Sequence, residues 1–432
     1  MDRDAHAPEP ADAHLAGRRN SGRAVHCHRA ADSDVALSAN LVPPIWLACC
    51  AVASWWAAVY SLGRWTVLFV LGPVHEDLRF TYVAAEAGLR FGWSKIYDPA
   101  TLQSLSTSFP STQQYIHGSY TYINPPLLAW IFAPFTLASE PAAYAMWTLV
   151  SLGALVCAWF LAAPYSGLAR VTLLLLAIGL WPLLWGLYLG QPDLLVIALV
   201  AAAWWFCARD MPIGTGVALA LATFLKPQVV IVIPLALLVS ARYRHVAAWV
   251  IACAALGAAT VATLGSSGLA SWWEALKAVQ ADPAQTNETL ARILGLGPLT
   301  YALWALQGAA ALFVAYRRRE AEIVFAAGIL GSAAVGFHFH YWDYTSLVLA
   351  AWLVLRTSPQ LAHRLWLATG VVPMQVMTYQ ASSTTLVLVA PQLAWDAVWL
   401  AILVVGSVGE TRVPAAARVP AVKGSTDPVI GG

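Results

Sequence analysis

The chain has 432 residues, 59% of them hydrophobic, with 21 tryptophans, a net charge of +2 and only 11% Asp, Glu, Lys and Arg. A soluble domain carries about 25% charged residues, so a soluble globular protein is excluded. No nucleic-acid-binding motif appears, and the few basic residues sit at the ends of apolar runs.

Residues 1–40 are polar and lack the apolar h-region of a signal peptide, which predicts a disordered cytoplasmic tail. "HCHR" at His26–Arg29 reads as incidental rather than as a metal site. From Leu41 to Val408, apolar runs of about 20 residues recur, each enough to cross about 30 Å of hydrocarbon. Alternating strand patterns are absent, so the expected fold is an all-α integral membrane bundle. The expected spans are 45–71, 141–163, 171–189, 192–207, 212–225, 228–240, 246–264, 298–316, 321–336, 343–356, 365–379 and 384–406, twelve in all. Five of the six cysteines, Cys49, Cys50, Cys157, Cys207 and Cys253, lie in these runs and read as small buried hydrophobes. Arg412 to Gly432 reads as a second disordered tail, so the membrane domain is bounded at 41–408 and the tail at 409–432.

Basic residues in short loops mark the cytoplasmic side. With twelve crossings and the N-terminus inside, Arg18, Arg19, Arg23, Arg29, Arg170, Arg209, Arg242, Arg244, Arg317 to Arg319, Arg356, Arg364, Arg412 and Arg418 all fall there. One further apolar stretch, "NPPLLAWIFAPFTLAS" at Asn124–Ser139, carries Pro125, Pro126 and Pro134 and is short; it predicts a re-entrant or half-depth helix. This topology collects five polar elements on the outer face: the long first external loop 72–123, "LGQPD" at 189–193, "FLKPQ" at 224–228, loop 265–297, and "FHFHYWDY" at 337–344. The two proline-broken junctions fit helix ends that line a cavity.

Within "HEDLRFTYVAAE", His75–Glu86, Asp77 lies just outside the first span. Desolvation there raises a carboxylate's pKa toward the range of a general base, and Arg79 opposes the shift. The alternative for Asp77 is a helix-cap carboxylate at the interface. Glu76 is the rival base and a candidate acceptor contact, while Glu86, about 2.5 turns on, points away. His338 and His340 read as a hydrogen-bond donor pair for a phosphate or a support for the base, as interfacial aromatics, or as a metal pair lacking further ligands at zinc-like spacing; Asp343 could orient the imidazole of His340. Lys226, at depth beside Pro227, implies a cavity or an anionic partner such as a phosphate, or snorkelling to the interface. Arg292 in "NETLARILG" is a second phosphate candidate, and Asn287 a hydrogen-bonding or capping residue. Gln191 and Asp193 either bind sugar hydroxyls or satisfy broken-helix backbone. One carboxylate, one or two imidazoles, one or two cations and several amides suit transfer of a sugar from a lipid-linked phosphate to a hydroxyl, with an oxocarbenium-like transition state. A transporter or flippase for an anionic or lipid-linked substrate is the competing class.

The stretches "DLRFTYVAAEAGLRFGWSKIYDP", "YINPPLLAWIFAPFTLAS", "LGQPDLLVIAL", "GVALALATFLKPQVVIVIPLALL", "NETLARILG" and "HFHYWDYTSLVLAAWLVL", in this order across about residues 77–355, resemble glycosyltransferase family 87 of the GT-C superfamily. The resemblance implies a GT-C-type bundle in a bacterial plasma membrane with an extracytoplasmic active site. It implies a polyprenyl-phosphate sugar donor with mannose as the sugar, an envelope glycolipid or polysaccharide acceptor, inversion at the anomeric carbon, and no cofactor or required metal. It places Asp77 at the position of the family's base, His340 near an active-site histidine, with His338 and Asp343 as alternatives for that place, and Lys226 at a basic position. "LGQPD", where the family often has "LGQ" then Asn, departs from the pattern, as does "NET" in place of an "NQS"-like stretch.

Overall fold

The computed structural model describes residues 44–71, 76–106, 122–280, 288–377 and 386–409; the tails 1–40 and 410–432, His26–Arg29, His75 and Asn287 lie outside the described residues. The chain opens with α1 (Ile45–Leu71), then α2 (Glu76–Phe91), a 3-10 turn at Trp93–Lys95 and α3 (Pro99–Ser106). Next come α4 (Pro126–Phe132), extended by a 3-10 turn to Leu137, and α5 (Glu140–Ala162). The bundle continues through α6 (Gly167–Gly179), α7 (Trp181–Leu189), α8 (Asp193–Cys207), α9 (Pro212–Leu225), α10 (Pro227–Val230), α11 (Val232–Val239) and α12 (Tyr243–Gln280). It closes with α13 (Leu290–Leu294), α14 (Pro298–Arg318), α15 (Ala321–Val335), a 3-10 turn at Asp343–Thr345, α16 (Ser346–Arg356), α17 (Leu361–Thr369), α18 (Val371–Met377) and α19 (Leu386–Gly409). No strand occurs among the described residues.

The polytopic all-α expectation holds, but twelve spans are not established. Among the described residues five helices, α1, α5, α12, α14 and α19, are long and apolar enough to cross a membrane, and the pair α6 and α7, bent by 58°, would make a sixth. The segments expected as spans 192–207, 212–225 and 321–336 form helices of 15, 14 and 15 residues. At 1.5 Å per residue these are about 21–23 Å long, short of the hydrocarbon thickness. Counting apolar runs absorbs flanking turn residues into each span. Segment 126–137 is shorter still and its helix is buried, with Leu128, Ala129 and Phe132 all at or below 1% exposure, so protein covers its backbone as a half-depth helix requires.

Proline and glycine set the breaks. Lys226 precedes Pro227, which disfavours helical backbone at 226; the residue is extended (φ −154°, ψ 81°), and α9 stops there. Gly265 (φ 61°) divides α12 where the span was expected to end, and the second half packs on the 3-10 turn at 93–95. The break between α6 and α7 is satisfied internally: Ser61 and Gln375 donate to the Gly179 carbonyl, and the Trp181 amide donates to the Gln375 side chain. Small residues let helices approach closely, as at Gly216, where a Cβ would lie 2.5 Å from the Ala248 backbone. The membrane-type surface is explicit on α12 and α1, where Val250, Ile251, Val261, Trp46, Trp55 and Trp56 are exposed.

The alternation of helix directions gives the bundle two chemically different ends. At one end lie the junctions α7–α8, α9–α10 and α15–α16 together with the start of α2. Arginines gather at the other: Arg242 donates to the Arg319 carbonyl, Arg244 pairs with Asp210, and Arg170 and Arg356 share a cavity.

Candidate functional site

The three junctions meet around one ion-paired lysine. The Lys226 ammonium, 5% exposed as a residue, lies 2.9 Å from both Asp193 carboxylate oxygens, 2.5 Å from Asp343 Oδ1 and 3.2 Å from Gln191 Oε1. Local backbone explains the convergence. Pro192 terminates the α7–α8 turn and places Asp193 in the first turn of α8, where the helix dipole favours a carboxylate. Gly190 closes α7 in the left-handed conformation (φ 75°), and a Cβ there would lie 2.6 Å from Leu78 Cβ. That contact brings the α7 end against the start of α2. Trp147 Nε1 donates to the Gly190 carbonyl, and Tyr144 donates to the carbonyls of Leu187 and Tyr188.

Gln191 is the bridge to Asp77. Its carbonyl oxygen accepts from Lys226, which leaves the amide nitrogen to donate to Asp77 Oδ2. Asp77 is half-buried at the first turn of α2. Desolvation pushes its carboxyl above the ordinary range, outweighing the Gln191 hydrogen bond and the His340 and Lys226 charges that hold it down; Asp343 adds to the rise. Arg79 does not oppose this as expected. It turns away and pairs with Glu140 at the start of α5, anchoring α2. Glu76 lies beside Asp77 in the first turn of α2.

The aromatic segment supplies the remaining wall. The His340 amide donates to Asp343 Oδ2 (2.8 Å), and the Asp343 amide donates back to the His340 carbonyl (2.9 Å). Asp343 thus orients the backbone of residue 340 rather than its ring. The ring is held by Glu288, whose Oε2 is 3.1 Å from His340 Nδ1; the Glu288 backbone carbonyl accepts from Tyr344. A carboxylate only accepts, so Nδ1 carries the proton. His338 packs edge-on to His340 at 4.6 Å, and Trp342 lies on its other side, also at 4.6 Å. Burial and then the His340 charge lower the His338 pKa to about 3, so His338 offers a neutral hydrogen-bonding ring. Among the described residues no three metal-ligating side chains converge.

Of the expected site residues, Asp77, Gln191, Asp193, Lys226, His338, His340 and Asp343 are brought together, with Arg292 outside this bonded set. It is exposed on α13, and its side chain makes no ion pair or hydrogen bond among the described residues. Glu288 escapes sequence reasoning. Its only signal is its position next to Asn287 in an otherwise apolar, amphipathic stretch, and its partner lies 52 residues away.

Fold and site together define a polytopic helical membrane protein with a buried cluster of charged side chains at one end of its bundle. The profile of glycosyltransferase family 87 matches residues 122–339, about half of the chain, and the protein belongs to that family. It is a membrane glycosyltransferase. The match contains Gln191, Asp193, Lys226, Glu288 and His338, and stops just before His340. No curated protein and no solved structure matches the chain.

If the Gln191 amide holds Asp77 ionised, removing it must move the titration. Gln191→Ala is expected to shift the acidic limb of the activity–pH profile upward. With Asp77 read as the base, its active form is lost as pH falls through its pKa, and removing a donor that lowers this pKa moves the loss to higher pH. A profile measured on both proteins, with an unchanged acidic limb, would contradict the assignment.

Proposed function

We propose that the protein transfers a hexose, mannose by the family resemblance, from a polyprenyl-phosphate sugar to a hydroxyl of an envelope glycolipid or polysaccharide, with Asp77 as general base. The observation that carries this reading is the hydrogen-bonded path from Asp77 through Gln191 and Lys226 to Asp343 and His340. Asp77 takes the acceptor hydroxyl proton as that oxygen attacks the anomeric carbon. The bond from the anomeric carbon to the phosphate oxygen breaks with its electron pair on the phosphate, and attack from the opposite face inverts the centre.

The expected role of Lys226 needs revision. Its ammonium already faces two carboxylates, so a phosphate placed there would meet Asp193 and Asp343 at close range. We assign Lys226 to positioning Gln191, and through it Asp77. The phosphate role passes to the His340 ring, which Glu288 holds at Nδ1, and to exposed Arg292. His338 stays a candidate for the donor phosphate, and Glu76 and Asn287 for sugar or acceptor contacts, whereas Gln191 acts directly on Asp77 and Asp193 acts through Lys226. The arginine-rich end is assigned to the cytoplasm and the charged cluster around Lys226 to the extracytoplasmic side of the bacterial plasma membrane.

The test is a donor screen with purified protein in liposomes, offering several polyprenyl-phosphate sugars with an envelope glycolipid fraction and determining the product linkage. A new inverted glycosidic bond is expected from one donor. Donor movement across the bilayer without bond cleavage would instead identify a transporter.

A further inference from the structure

The arginine-rich end carries a second candidate site, remote from the Lys226 cluster in the chain's topology. A cavity of about 410 Å³ opens between the end of α5, the start of α6 and the end of α16. Its charged lining is Arg170 and Arg356, with Ser358 as a hydroxyl and Tyr165 at the rim. Neither guanidinium has a carboxylate partner among the described residues. Arg170 is fixed by donation from one terminal nitrogen to the Phe160 carbonyl (2.5 Å), with its guanidinium 5.0 Å from the Trp159 ring centroid; its Nε is buried without an acceptor. Arg356 is held over Trp204 at 4.8 Å. Two cations fixed by aromatic rings and backbone, on one cavity and without a counter-ion, form a site short of an anion.

What borders the cavity says which anion. Phe160 is 67% exposed and Leu168 and Val171 are exposed beside it, continuing onto the exposed face of α5 at Leu149 and Val156. A soluble anion has no use for such a border, whereas acyl chains do. We propose that the Arg170–Arg356 cavity binds the phosphate of an anionic glycerophospholipid, whose acyl chains lie along α5. The guanidiniums donate to the phosphate oxygens, and the Ser358 hydroxyl completes the set.

Native mass spectrometry of the full chain, released from bilayers containing phosphatidylglycerol or phosphatidylcholine, tests this. One phosphatidylglycerol is expected to survive delipidation, and phosphatidylcholine is not. Arg356→Gln, at an exposed side chain, is expected to reduce retention about fivefold, the equivalent of about 1 kcal/mol for one arginine at a lipid surface. Sugar transfer should be unchanged. Arg170→Gln should act at least as strongly, and if loss of its backbone contacts prevents folding, the Arg356 variant alone decides. Equal retention of both lipids, undiminished retention in Arg356→Gln, or full displacement by millimolar glycerol phosphate would overturn the proposal.

Discussion

Asp77→Asn is expected to lower sugar transfer by about 10²–10⁴-fold, the range for losing a positioned general base, while donor binding and folding persist. Asparagine keeps the shape of the side chain, and its carbonyl oxygen can still accept from the Gln191 amide. What disappears is the lone proton acceptor at the end of the Lys226–Gln191 path. The clean measurement is turnover against donor affinity in the same reconstituted preparation. Loss of both together would point to a collapsed site, and turnover within a few-fold of the parent would place the base elsewhere, with Glu76 the first alternative. Desolvation of Asp77 gives the parent enzyme its own signature: activity should fall on the acidic side at a pH above the ordinary carboxylate range.

The second large effect is on stability. Lys226→Met removes the cation between Asp193 and Asp343, whose side chains are 7% and 0% exposed. Removing one partner of a buried ion pair costs about 3–5 kcal/mol, because the remaining charge is left uncompensated. Here two carboxylates would be left facing each other. A clear fall in the thermal midpoint of the detergent-solubilised protein is expected. The double substitution Lys226→Met with Asp343→Asn should recover much of it by removing one of the stranded charges. Transfer should stay impaired in both, since Gln191 then lacks the donor that fixes its amide. A single variant as stable as the parent would show that the ion cluster is neutralised in another way.

Much of the site is legible in the sequence because the chain is so apolar. In a membrane protein a buried charge is costly, so an ionisable residue at a helix end marks a position with a purpose. Asp77, Lys226, Asp343 and the two histidines stand out on that ground. Their partners do not. Nothing in "LGQPD" indicates that Gln191 faces both ways, or that Asp193 is consumed by Lys226 rather than by a sugar. Arg79 looks like the neighbour of Asp77 because it follows two residues later; on a helix two positions apart do not share a face, and Glu140 takes it. Glu288 carries no such mark, because what makes it significant is a contact 52 residues downstream.

Hydrophobic runs, prolines and charge placement by themselves determined an all-helical membrane protein, the breaks at Pro192 and Pro227, and which residue types cluster at which end. These are local properties, set by the cost of exposing backbone to lipid and of bending it at proline or glycine. The tertiary structure alone decided which helices are long enough to cross, that α7, α9 and α15 deliver their ends to one charged cluster, and that the charge of Lys226 is already spent. Those outcomes depend on packing and on pairwise electrostatics over a few ångströms, which join residues far apart in the chain and leave no periodic trace in it.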